Sequence, residues 1–300
     1  MQRPDFFIVG APKSGTTALA HFLRQHPHIY MIDPRREPLY FAADLPHKRA
    51  VRNLEQYLEF FAGSTPEDKA IGEKSVFYLC SEVAAREIKA FNAAARIIIM
   101  LRNPVDMMHA LHGHMLLSAD EDIVDFAAAL DAEEDRRQGR RLPARGDFPT
   151  GILYRRVAGY PAQVRRFLEA FGRDKVLIII FDDFKADTGE TYRRTLEFLG
   201  VDPEFQPSYE TVNPSRRPRS RILNRLLVKP PRFLRTLHRA SPFRSVESKV
   251  VGAVRDANIE EGARPPMDPR LRKRLQAQLA PEVAELSGLL ERPLTHWTED

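Results

Sequence analysis

The chain has 300 residues and one cysteine, Cys80. A single thiol excludes an internal disulfide framework and fits a reducing compartment. No run of about 18 apolar residues occurs, so no segment reads as a membrane-crossing helix. The N-terminus enters an apolar segment within five residues, without the basic-then-apolar pattern of a secretion signal, and the expected location is the cytoplasm. Internal repeats and low-complexity tracts are lacking as well. Acidic residues are missing from Thr211 to Val246, where ten Lys and Arg stand. This one segment more than accounts for the formal net charge of +5, since 36 bases face 41 acids elsewhere. Such a run is either a solvated face or a surface that meets something anionic. The remaining composition, 43% hydrophobic and 29% charged, is that of a globular protein long enough for one large α/β domain or two smaller ones.

Apolar runs and helical periods alternate along the chain. Asp5–Val9, Arg96–Leu101 (RIIIML) and Lys175–Phe181 (KVLIIIF) read as buried strands, and Lys69–Glu73 as a weaker one. Helices are expected at Thr16–Gln25, Ser81–Phe91 with Ser81 as its cap, Pro104–Leu117, Tyr160–Phe171 and Thr188–Leu199. Strands alternating with helices predict a parallel sheet with helices on both faces. Residues 119–156 read as a polar insertion around a helical stretch at Ile123–Arg137. Beyond Val201 the pattern becomes basic and proline-punctuated, with helices at Val246–Asn258 and at Leu271–Leu290, the latter broken at Pro281. The expectation is a single domain over 1–300, with a core to about residue 210 and a basic helical extension over 211–300.

The segment FFIVGAPKSGTTALAHFL (6–23) has the form of a strand, a glycine turn and a helix, which is the form of a phosphate-binding loop. Gly10 and Gly15 allow close backbone approach. The amides of Ser14, Gly15, Thr16 and Thr17 would face an anion at the helix N-terminus. The ATP- and GTP-binding version needs a lysine directly after the second glycine, and Thr16 stands there instead. The loop's only lysine is Lys13.

FIVGAPKSGTTALAHFLRQHP resembles the 5′-phosphosulfate loop of sulfotransferases that use 3′-phosphoadenosine-5′-phosphosulfate (PAPS). RIIIMLRNPVDMMHALH resembles their 3′-phosphate motif. DPRREPLYF, GEKSVFYL and KVLIIIFDDFKADTGETYRRTLEFLGVDP resemble segments of the bacterial and glycosaminoglycan-modifying branch, so the likeness runs over about residues 5–215. It implies a P-loop-type three-layer α/β fold and a sulfuryl transfer from PAPS, without a metal, to a hydroxyl or amine of a carbohydrate, lipid or small metabolite.

The resemblance also implies roles for individual residues. Lys13 would neutralise the departing 5′-phosphate. Glu37 would accept the acceptor's proton. Lys74 would line the transfer site, with Glu73 orienting it. Arg102 would grip the 3′-phosphate, and Arg216 and Arg217 would belong to a basic loop closing over the nucleotide. Residues 216–244 would meet any anionic surface, and no nucleic acid is implied. Arg36 stands where many relatives have lysine, Met107 where arginine is frequent and Ala110 where a serine usually adds a phosphate ligand. A nucleotide-binding relative without catalysis therefore stays open. A P-loop kinase is disfavoured, because the strand at 96–101 ends in Arg102 and not in a magnesium-binding carboxylate. His109 and His112 share a helix face, but no cysteine or carboxylate completes a metal site there.

Overall fold

The computed structural model describes residues 2–144, 146–209, 216–229, 254, 257–262 and 265–299. Contacts divide the chain into two units. The first holds residues 1–108, 155–212 and 269–300, and the second residues 109–154 and 213–268.

The first unit is built on five strands: β1 (Phe6–Gly10), β2 (Ile29–Met31), β3 (Ala70–Lys74), β4 (Arg96–Leu101) and β5 (Val176–Ile180), in the order β2-β3-β1-β4-β5. All the pairings are parallel. Every residue of β1 is buried, as its unbroken apolar run requires of a central strand covered on both faces. Helices α1 (Thr16–Leu23) and α10 (Thr188–Leu199) cover one face. There Leu19, Leu23, Leu196 and Leu199 pack with Phe6, Ile8, Ile98 and Ile179. Helices α3 (Ala84–Phe91) and α8 (Tyr160–Phe171) pack together, and α8 lies on β4 and β5. The result is the expected three-layer α/β fold with a parallel central sheet. Phe6 pairs with Gly72, and a Cβ at Gly72 would lie 2.2 Å from the Phe6 ring. The bare backbone there makes room for the ring.

From β1 the chain passes through α1 to β2 and β3 on one side, then crosses to β4 on the other. The carboxyl end of β1 is thus a topological switch point, where open α/β sheets bind ligands.

Several elements depart from the sequence expectation. The edge strand β2 spans three residues, too few for a periodic signal. The Ser81 hydroxyl accepts from the amides of Ala84 (3.0 Å) and Val83 (3.2 Å), so it steadies the start of α3 from outside a helix that begins at Ala84. The expected helical stretch at Ile123–Arg137 is two short helices, α5 (Phe126–Asp131) and α6 (Glu133–Arg137). The last helix, Pro269–Leu290, contains Pro281 without interruption. An interior proline typically costs about 3 kcal/mol, but Leu275, Leu279, Val283 and Leu286 bury one face on both sides of it. That continuous face keeps the two halves in line.

This last helix, α12 when counted after α11 (Arg221–Val228), packs on α8. Arg165 pairs with Glu285 at 2.6 Å, and Arg173 donates to the Leu289 carbonyl at 2.8 Å. The C-terminal part of the expected extension thus belongs to the first unit.

The second unit holds α5, α6, α11 and a two-stranded antiparallel ribbon of β6 (Arg216–Pro218) and β7 (Ile259–Glu261). Its centre is a fully buried pair, Arg136 and Glu121 at 2.7 Å, with Tyr154 donating to the second Glu121 oxygen at 2.7 Å. Lys229 pairs with Asp120 and Asp147. Most of the basic run at 211–246, and most of the helix expected at Val246–Asn258, lie outside the described residues.

Candidate active site

The turn after β1 is tightly held. The Ala11 amide donates to the Met100 carbonyl at 2.6 Å, and the Leu79 amide to the Val9 carbonyl at 2.8 Å. A Cβ at Gly10 would come within 2.6 Å of the Leu79 Cβ and 2.8 Å of the Val76 carbonyl, so only glycine fits. Lys13 (φ 60°) and Gly15 (φ 87°) both take left-handed backbone and bend the loop around Ser14. Ser14 and Thr16 are buried, whereas Lys13, Gly15 and Thr17 are half-buried. The first amides of a helix have no partner within it. No side chain caps α1, and its first turn contains no acid. A bare glycine cradle at an uncapped, acid-free helix N-terminus suits a phosphate group.

Glu37 and Lys74 meet beside this loop. The Lys74 ammonium, almost fully buried at the end of β3, is hydrogen-bonded to Glu37 Oε1. The Val76 amide donates to Glu37 Oε2 at 3.3 Å. Val76 thereby joins two parts of the site, its carbonyl against Gly10 and its amide on Glu37. The Glu37 side chain keeps a quarter of its surface exposed, which leaves it accessible from outside.

Glu73 does not orient Lys74 directly. Successive strand residues point to opposite faces, and Glu73 is fully buried among the hydroxyls of Tyr57 (2.9 Å), Tyr78 (2.9 Å) and Ser75 (3.1 Å). Burial pushes its carboxyl up to about 7, against the opposing pull of the three hydroxyl donors.

Arg102, just beyond β4, donates to the Lys13 carbonyl at 3.3 Å. Its guanidinium lies 4.9 Å from the centre of the Phe181 ring. Phe181 opens α9 (Phe181–Ala186) directly after β5, and a Cβ at Gly15 would sit 3.1 Å from its ring. The same ring therefore supports both the loop and the arginine. Asn103 accepts the Val105 amide at 3.0 Å and donates to the Trp297 carbonyl at 3.0 Å, while the Trp297 indole donates to Asp182 at 2.9 Å. Tyr160, at the start of α8, is fully buried. Its phenol is pushed up by that burial, against the opposing influence of Arg102 and of the Ser14 hydroxyl.

Lys13, Ser14, Gly15, Thr16, Thr17, Glu37, Lys74 and Arg102 are thus all on the loop, strand ends and adjoining segments at the carboxyl edge of one sheet. Arg216 and Arg217 contribute backbone to β6 in the second unit. His112 bonds the Ile123 carbonyl at 2.9 Å and packs on Phe126 and Tyr154, a structural setting for one of the helix histidines. Sequence reasoning missed Phe181, Tyr160 and the partners of Glu73. Phe181 had a usable signal, since it follows directly on a strand's carboxyl end. A cavity of about 430 Å³ also lies along β2, lined by Arg24, Tyr30, Asp33, Arg36, Glu59 and Phe60 among others.

Fold and site define a phosphate-loop protein whose lysine lies inside the loop, with a carboxylate–ammonium pair at the neighbouring strand end. The family model described as Sulfotransferase domain matches residues 3–216. A sulfotransferase crystal structure from Alicyclobacillus acidocaldarius is 30% identical, with a TM-score of 0.74 and 100% of each chain covered. The bifunctional heparan sulfate N-deacetylase/N-sulfotransferase 4 of Mus musculus is 30% identical over 213 residues, 68% of this chain and 23% of that protein. The human enzyme 3 of the same name is 28% identical over 209 residues, again 68% and 23%. The chain spans about a quarter of the length of these curated relatives. It belongs to the PAPS-dependent sulfotransferase family.

Proposed function

We propose that the protein moves the sulfuryl group of PAPS in line to a hydroxyl or amine of an acceptor, with Glu37 as the base. The observation that carries this reading is the Glu37–Lys74 pair beside the glycine cradle. An ionised carboxylate held by an ammonium and an amide is oriented to accept the acceptor's proton. Bound PAPS supplies an activated sulfuryl group and a phosphate leaving group. The Lys13 ammonium offsets charge developing on that phosphate, a contact of a kind typically worth about 3–4 kcal/mol. Ser14, Gly15, Thr16 and Thr17 bind the 5′-phosphate end, Lys74 also attends the sulfonyl oxygens, and Arg102 binds the 3′-phosphate. Arg216 and Arg217 belong to the basic segment that closes on the nucleotide, and residues 216–244 take any anionic surface.

The acceptor lies on the β2 side, where Arg36 of the base loop also lines the cavity. Similarity to N-sulfotransferases makes an amino sugar the first acceptor to try. The proposed arrangement is one sulfotransferase domain with its extension, working in the cytoplasm. The single thiol, Cys80, supports that location.

The test combines two measurements on the wild type and on Glu37→Gln. Calorimetry with adenosine 3′,5′-bisphosphate should show tight binding to both proteins, with ATP binding far more weakly. Transfer of labelled sulfate to an amino-sugar and hydroxyl panel should fall about 100-fold or more in the variant. Unchanged transfer by Glu37→Gln would remove it as the base, and equal binding of ATP would count against the PAPS reading. A binding-only relative would bind the bisphosphate and transfer to nothing.

A further inference from the structure

We propose that Glu73 is a positioning residue for the base, fixing the loop that carries Glu37 through two hydroxyl relays. The inference rests on Glu37 being the base. The Leu39 amide donates to Ser75 Oγ at 3.2 Å, and that hydroxyl donates to Glu73 Oε2 at 3.1 Å. The Phe41 amide donates to Tyr78 Oη at 3.4 Å, and that hydroxyl donates to Glu73 Oε1 at 2.9 Å. Tyr57 adds a third donor to Oε1 at 2.9 Å. One buried carboxylate thus anchors the chain two and four residues beyond Glu37.

The loop needs that anchoring. Leu39 has φ 52°, left-handed backbone that a bulky side chain rarely adopts. Its amide and the Phe41 amide are tied on either side of the bend, so the conformation is held by Ser75 and Tyr78.

The relay also explains why the anchor is a carboxylate. An ionised carboxylate only accepts, so all three hydroxyls aim their protons inward and turn lone pairs toward the two amides. A protonated carboxyl, or a glutamine, donates at one point. Oε1 already receives protons from Tyr57 and Tyr78, so the donating end is Oε2, and Ser75 Oγ must then accept from it as well as from the Leu39 amide. One relay weakens. The groups facing Glu73 are Tyr57 from α2 (Leu54–Leu58), Ser75 and Tyr78 from the turn after β3, and the like charge of Glu37 from the base loop. Burial brings the carboxyl to about 7, so the relay changes state near neutrality.

Amide exchange at Leu39 and Phe41, corrected for intrinsic pH dependence, tests the relay across that range. In the wild type, protection at Leu39 should rise with a midpoint near 7, while protection at Phe41 stays level. In Glu73→Gln, protection at Leu39 should be low and flat. With labelled PAPS and water as the probe acceptor, Glu73→Gln should lower kcat about 10- to 100-fold while KM for PAPS stays within about twofold. Wild-type protection and kcat in Glu73→Gln would overturn the proposal. If that variant no longer binds adenosine bisphosphate, single-relay variants decide. Ser75→Ala should lose protection only at Leu39 and Tyr78→Phe only at Phe41, and unchanged protection in both would overturn it. Transfer surviving in Glu37→Gln would instead remove the base reading and leave the exchange result standing.

Discussion

Glu73 and Lys74 are adjacent on β3, yet they face a sealed hydroxyl cluster and a solvent-reached carboxylate respectively. The sealed one leaves a thermodynamic signature. Its folded-state value, about 7, lies above the ordinary 4.5. Between those values the folded protein keeps a proton that the unfolded chain has released. Stability present below about pH 4.5 is therefore lost as pH rises through 7, by an order of 3 kcal/mol. Urea midpoints of the wild type and Glu73→Gln should agree at low pH and separate above 7, with the variant more stable. A wild-type curve flat from pH 5 to 8 would contradict this. Lys13, Glu37, Lys74 and Arg102 could be singled out in the sequence because each holds a position in a segment that resembles a family motif. The relay was not legible. It joins residues 39, 41, 57, 73, 75 and 78, which only the folded chain brings into register.

Elements were legible in proportion to their apolar length. RIIIML and the helices Pro104–Leu117, Tyr160–Phe171 and Thr188–Leu199 have the expected boundaries, because long apolar runs or periods leave little choice. Three-residue β2 offered no such signal, and Phe181 reads as the tail of a strand although it begins a helix. Pro281 misled for another reason, since a buried face spanning it outweighs the lost hydrogen bond. Within the sheet, a Cβ at Gly72 would meet its neighbour at 2.2 Å, nearer than the 2.6 Å at Gly10. Gly72→Ala would push a methyl into the Phe6 ring, which has no free space around it. The expected loss is about 2–3 kcal/mol or more in chemical denaturation. Because Phe6 begins the strand that leads to the phosphate loop, adenosine bisphosphate affinity should fall too, and an unchanged midpoint would refute the tight fit.

At the scale of the molecule, the first unit is assembled from three stretches of chain. The family match ends at residue 216, but residues 269–300 return to that unit. Trp297, 1% exposed, closes the corner formed by Asn103 and Asp182. Arg292 adds a paired contact to Asp183, 2.8 Å at Oδ1. Trp297→Ala should lower stability by about 3–5 kcal/mol and weaken adenosine bisphosphate binding through the Asn103 corner. Loss of stability with wild-type affinity would separate that corner from the nucleotide site.

The threefold assembly has a consequence for changes in chain length. The stretches outside the first unit, 109–154 and 213–268, are each of some fifty residues and are joined to it in sequence at both ends. Doubling a flexible loop costs only about 0.6 kcal/mol in closure entropy. A change in the length of either stretch would therefore cost the first unit little in closure entropy, and Lys13, Glu37 and Lys74, all carried by the first unit, would keep their places.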